Sequence, residues 1–163
     1  MSLTKWVTSI EIDASPETVW KIAVNYKEYS RWNPFIPKAW KLPGERKLFI
    51  VKMNLYKFIY VPGLVKIIAC EENKLIRYLG AVPKFLHLLL NPDHSFTIEA
   101  ITNDRTRFSH HAGMGGLFLS LPLKFKFIAN AVRTNHKEMN LRLKQLSEQH
   151  SPRFSTSLDP QDP

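Results

Sequence analysis

"SPETVWKIAVNYKEYSRWNPFIP", residues 15–37, decides the fold. Ser15 offers an N-cap oxygen, Pro16 fits the first helical position, and Glu17 suits the positive end of a helix. Val19, Ala23 and Tyr26, with Trp20 and Val24 beside them, recur at helical spacing, so one flank of a short helix faces a sheet. A second short helix over Lys27 to Trp32 stops at Asn33-Pro34, because proline disfavours helical geometry in the residue ahead of it. Trp20, Tyr26, Tyr29, Trp32 and Phe35 are therefore gathered on two short helices and the corner that follows. They close over either a filled core or a hollow.

Outward from this segment the period changes from helical to alternating. Residues 5–13, KWVTSIEID, read as a strand. After Phe35 come IPKAWKL, RKLFIVKMN, LVKIIACEE, KLIRYLG, HSFTIEAIT and RTRFSHHAG, separated by PGE, VPG, ENK, the longer GAVPKFLHLLLNPD and NDR. Strands joined by hairpin-length turns with no helical crossover make an antiparallel meander, and such a sheet needs a layer over one face. The far end supplies it. Phe125, Ile128, Val132, Met139, Leu143 and Leu146, with Asn135 and His136 between them, recur at helical spacing. The expectation is an α+β helix-grip architecture: a curved antiparallel sheet of about seven strands around a long C-terminal helix, with two short helices after the first strand. Residues 1–149 form the single domain, and 150–163 form a polar, proline-bearing tail without an apolar face.

Composition bounds the function. The 163 residues suit one domain, and one cysteine, Cys70, excludes an internal disulfide and is compatible with a reducing cytoplasm. The apolar patches at 85–90 and 116–123 are far shorter than the roughly 20 residues of a membrane-spanning helix. The net charge is +9, with seven Lys or Arg against one acid between Lys38 and Lys66. These bases alternate with apolar residues, the pattern of a solvated strand face, and no nucleic-acid-binding module accompanies them.

The segments IEIDASPETVWKIAVNYKEYSRWNPFI, LIRYLGAVP, DHSF, TRFSHHAGMGGLF and MNLRLK, in this order across residues 5–148, resemble the START and pollen-allergen helix-grip superfamily, in particular its bacterial polyketide cyclase/dehydrase-like branch. The resemblance implies a cavity between sheet and C-terminal helix that takes hydrophobic or aromatic small molecules.

Strand parity nominates the lining independently, because alternate residues share a face. Phe49, Val51 and Met53 fall on one face of their strand, as do Val65 and Ile67, then His94, Phe96, Ile98 and Ala100, then Phe108, His110 and Met114. On KLIRYLG only one of Arg77 and Tyr78 can face inward, and the resemblance favours Tyr78, which stands where similar sequences often carry tryptophan. The last helix adds Ile128, Val132, His136 and Met139. Trp32 and Phe35 flank the Asn33-Pro34 corner as a lid or a plain hydrophobic cap. His94 and His110 share the concave face and are the candidates for proton transfer, with a structural role the more frequent one for such histidines. The resemblance adds weight to His94, whose Asp-His-x-Phe setting recurs in that branch, whereas Ala112 stands where similar sequences carry an acid.

No phosphate loop, His-Glu-x-x-His pair, paired-cysteine site or Gly-x-Ser-x-Gly elbow is present, so neither a metal nor a cofactor is expected. The reading is a module that binds or carries a hydrophobic aromatic, polyketide or lipid-like molecule rather than an enzyme. A cyclase or dehydratase using a cavity histidine is the alternative. The leucines of residues 81–91 and the apolar run 115–118 read as a gate over the pocket mouth or as simple packing, and together with the positive charge they motivate transient membrane contact as a subsidiary expectation. The oligomeric state is open.

Overall fold

The computed structural model describes residues 4–56, 59–81, 91–115 and 122–151. Its elements are β1 (Thr4–Ile12), α1 (Pro16–Ala23), a 3-10 turn (Tyr26–Glu28), α2 (Tyr29–Trp32), β2 (Lys38–Lys41), β3 (Leu48–Tyr56), β4 (Ile59–Glu71), β5 (Leu75–Gly80), β6 (Asn91–Thr102), β7 (Arg105–Gly115) and α3 (Pro122–Gln149). The curved helix-grip architecture is as expected. The sheet order is β1-β7-β6-β5-β4-β3-β2, with every neighbouring pair antiparallel.

The local chemistry of the opening segment acts as its residues predict. The backbone N–H of Thr18 donates to Ser15 Oγ at 3.2 Å, and Pro16 begins α1. Val19, Trp20 and Ala23 are buried against Ile12, Phe108 and Leu143, so α1 fills one end of the grip. β1 lies beside β7, in a register that places Trp6 opposite Ala112 and Thr8 opposite His110. α3 crosses the concave face and buries Val132, His136, Met139, Leu143 and Ser147. Its C-terminal end is tied to β1 through Glu148 Oε1, which accepts from the Asp13 N–H at 2.9 Å.

One buried bond holds the β1–α1 connection to β7. Thr106 Oγ1 donates to the Ala14 carbonyl at 2.7 Å, with both residues fully buried. Thr106→Val keeps the shape and orphans that carbonyl, which costs about 1–3 kcal/mol. Urea denaturation should show this loss; an unchanged midpoint at unchanged slope would contradict it.

Three expectations need correction. The VPG at 61–63 is not a turn: β4 begins at Ile59 and runs through it, with Lys52 opposite Pro62 and Val51 opposite Gly63. Before Val65, β4 has no β5 residue in register, so the missing proline N–H breaks no ladder on that side. A Cβ there would stand 2.6 Å from Met53 Cε, so the glycine leaves room for the end of that flexible side chain. Ala100, expected to face inward, is exposed beside a register shift between Ala100 and Thr102. Finally, the turn before α2 is 3-10 rather than part of that helix. The apolar segments proposed as gate or membrane contact fall mostly at 82–90 and 116–121, and the tail mostly at 152–163; these stretches lie outside the described residues.

Candidate functional site

A cavity of about 140 Å³ lies between the sheet and α3. Ten of the nominated residues line it: Phe35, Phe49, Val51, Met53, Val65, Tyr78, His94, Phe96, His110 and Met139. Tyr26, Tyr29, Asn33, Ile36, Ala39, Pro62, Gly63, Leu64, Gly80 and Pro92 complete the wall. Among the described residues none of these is Lys, Arg, Asp or Glu.

The remaining nominees lie elsewhere. Trp32, Ile98 and Phe108 belong to the solid core, with Ile67 packed against it, and Val132 joins Trp6, Phe35 and Ala112 in a second cluster. They lie outside the cavity wall. His136 is fully buried and abuts His110 without reaching the wall. The side chains of Met114 and Ile128 lie outside the described part of the molecule.

Phe35 forms part of the cavity wall, on a corner held by two hydrogen bonds. The Asn33 side-chain oxygen accepts from the Ile36 N–H at 2.7 Å, and the Phe35 carbonyl accepts from the Asn54 N–H at 2.7 Å. The first bond closes the corner on itself and the second ties it to β3. Asn33 itself is buried, and its Nδ2 has no hydrogen-bond partner although the residue lines the cavity.

Hydroxyls gather among the aromatic side chains of the wall. The Tyr26 and Tyr78 hydroxyls are 3.3 Å apart, and Tyr29 donates to the Ala23 carbonyl at 2.9 Å. Burial pushes all three phenols above the usual tyrosine range, so they stay neutral. Arg77 points outward, as parity requires, and grips Asp93 at 3.0 and 2.5 Å.

Imidazoles form a second polar group. The ring centroids of His94 and His110 are 5.8 Å apart, those of His94 and His136 are 5.8 Å apart, and those of His110 and His136 are 3.9 Å apart. Phe96 meets His110 edge-on at 4.7 Å, and Phe35 meets His136 edge-on at 4.8 Å. The indole N–H of Trp6 donates to His136 Nδ1 at 3.3 Å. Ala112, directly opposite Trp6, shares its buried cluster, so the position without an acid lies against an indole.

Burial sets the charge of these rings. It pushes His94 down to about 4, against the opposing pull of the Asp93 carboxylate. His136 falls to about 2, by burial and then by His94, and His110 falls well below the ordinary value by burial and its histidine neighbours. All three are neutral at pH 7. The unfolded chain, with imidazoles near about 6.5, binds protons that the folded chain refuses. Stability is therefore full above about pH 6.5 and falls as the pH drops toward 4, by up to about 1.4 kcal/mol per pH unit for each histidine. Urea midpoints should fall between pH 7 and pH 5, above the main carboxylate range; equal midpoints would contradict this burial of neutral rings.

The metal motifs sought in the sequence are local, whereas these histidines come from β6, β7 and α3. Each offers a ring nitrogen, and these nitrogens lie within 4.8 Å of one another, a grouping that could hold a metal ion.

An antiparallel sheet gripping a long helix over a small, uncharged, mainly apolar hollow defines a helix-grip protein with a ligand-sized cavity. The chain belongs to the "Polyketide cyclase / dehydrase and lipid transport" family, whose model matches residues 4–148. No curated protein matches it. Among solved structures, it is similar to the Zhui aromatase/cyclase from Streptomyces sp. R1128, with 10% identity, TM-score 0.75, and coverage of 91% of this chain and 96% of that one. A START superfamily protein from Mycobacterium smegmatis aligns at 18% identity and TM-score 0.67, over 87% of this chain and 98% of that one. Norcoclaurine synthase from Thalictrum flavum, in complex with dopamine and hydroxybenzaldehyde, aligns at 12% identity and TM-score 0.63, over 92% and 89% of the two chains. At these identities the likeness is one of fold. Among the described residues no helix is long and apolar enough to cross a membrane.

Proposed function

We propose that this protein binds and carries a compact, uncharged hydrophobic molecule in the cavity between its sheet and α3. The observation that carries this reading is the hollow itself: about 140 Å³, walled largely by aromatic and aliphatic side chains and free of ionised groups. An engineered apolar cavity of about 150 Å³ stays dry and takes up benzene, so this volume suits one ring. A fused polyketide skeleton would require the walls to part. Apolar contact supplies most of the affinity, while the tyrosine hydroxyls and Asn33 Nδ2 orient polar substituents.

Native mass spectrometry of protein purified from its own host tests this reading. The expected result is the chain mass plus a small, non-covalent adduct that collisional activation removes. Bare chain alone, under conditions that preserve other hydrophobic complexes, would contradict it.

The alternative is a cyclase or dehydratase in which His94 or His110 moves a proton. Both line the cavity, which favours it. Their basicity opposes it: a general base works best with a pKa near the operating pH, and His94 is pushed down to about 4. Against a candidate polyketide, His94→Ala and His110→Ala should alter affinity alone. Abolished turnover at unchanged affinity would establish the enzyme instead.

A further inference from the structure

Two buried nitrogens of the histidine cluster, His110 Nδ1 and His136 Nε2, have no hydrogen-bond partner. Their protonation can be worked out from the neighbouring indole. Trp6 Nε1–H is a donor only, so His136 Nδ1 must accept and the ring proton of neutral His136 sits on Nε2. That N–H is a buried donor directed at no protein acceptor, within a group of nitrogens that lie within 4.8 Å of one another. Leaving such groups unsatisfied costs about 1–3 kcal/mol each, so the arrangement calls for an occupant.

Two occupants compete, and distance and polarity decide between them. Nitrogens separated by up to 4.8 Å leave a shared central atom up to about 2.8 Å from each, a hydrogen-bond length to oxygen. A zinc–nitrogen bond is shorter, at about 2.0–2.1 Å, so a metal would require the rings to draw together. A metal held by His136 Nε2 would also move the proton to Nδ1, where metal-bound histidines normally donate to an acceptor. Trp6 presents a second donor at that position, and the two N–H groups would oppose each other.

We propose that the His94–His110–His136 cluster is a neutral receptor for a single hydroxyl oxygen, and that the ligand of the cavity is an uncharged molecule bearing that hydroxyl on a compact apolar body, a phenol being the simplest. This rests on the cavity reading above. His94 and His110 line the cavity and His136 stands behind them, so a hydroxyl on a bound ring reaches His136 by parting those two rings. Its oxygen accepts from His136 Nε2–H and its hydrogen goes to His110 Nδ1. A hydroxyl both donates and accepts, and so satisfies His110 in either tautomer, whereas a carbonyl serves only one. With all three imidazoles neutral, no charge is present to hold a carboxylate or an ammonium group.

The test compares phenol with toluene, which puts a methyl group in place of the hydroxyl. The full-length chain is titrated with each at pH 7.5 by calorimetry and by NMR. Phenol is expected to bind at least about tenfold more tightly than toluene. In long-range ¹H–¹⁵N spectra, phenol should shift the His136 Nε2 and His110 Nδ1 resonances of the wild-type protein, and toluene should not. His136→Phe should abolish the preference while retaining toluene binding. The wild-type spectra decide the matter if that variant does not fold. Equal affinities without ring-nitrogen shifts would overturn the proposal, the cluster then holding a buried water, and would leave the cavity reading intact. One equivalent of Co²⁺ giving a tetrahedral absorption band that His94→Ala removes would overturn it in favour of a metal centre. Binding of neither probe would overturn both this proposal and the cavity reading.

Discussion

Gly63→Leu should lower toluene affinity at least about a hundredfold, to below calorimetric detection, while the protein remains folded. Gly63 lies on the wall of the cavity, opposite Val51 in the β3–β4 ladder. Even a Cβ would stand 2.6 Å from Met53 Cε and 3.2 Å from Val51 Cγ2. The first of these atoms ends a flexible side chain that lines the cavity and moves at small cost. The isobutyl group of leucine then occupies much of a cavity with room for one ring. Overpacking lowers stability by about 1–3 kcal/mol, within what a domain of this size tolerates. Undiminished toluene binding by a folded Gly63→Leu protein would show that the probe binds elsewhere.

Trp32→Ala has the opposite signature: a large loss of stability with little effect on the cavity. Trp32 is 1% exposed, sits edge-on to Tyr29 at 5.0 Å, and belongs to the same packed core as Ile12, Phe108 and Leu143. Truncation of such a side chain costs about 3–5 kcal/mol, a large share of the 5–15 kcal/mol of a typical domain. Under conditions that keep the variant folded, toluene should bind with nearly wild-type affinity. A lid would behave differently, with stability little changed and association and dissociation both faster. Chemical denaturation combined with stopped-flow binding separates the two roles.

The fold was legible because its signals are local. The Ser15-Pro16 start, the break at Asn33-Pro34 and the helical spacing of Val132, Met139 and Leu143 each specify an element without reference to the others. Parity likewise identified the concave face, since Phe49, Val51 and Met53 on β3 and His94 and Phe96 on β6 all line the cavity. Parity does not say how far along a strand the hollow extends, which is why Ile98 and Phe108 turned out to be core. It is equally silent about helices and corners. Tyr26, Tyr29 and Asn33 reach the wall because the segment folds back over the sheet, a long-range fact.

Pro62-Gly63 misled for a different reason. The pair usually marks a turn, but here it lies within β4, and Gly63 leaves the wall without a side chain beside Met53. The histidine cluster depended on tertiary structure most of all. His94, His110 and His136 meet only because α3 lies over β6 and β7, and the protonation of His136 is set by Trp6, 130 positions away in the chain.

The most direct test of the central claim, that a preformed dry hollow lies under α3 and accepts one ring, is a crystal structure of the protein soaked in toluene. The prediction is ring-shaped density between Gly63, Phe49 and His110, with the surrounding backbone unmoved. A hollow closed by rotated side chains, with toluene absent or bound only at the surface, would contradict it.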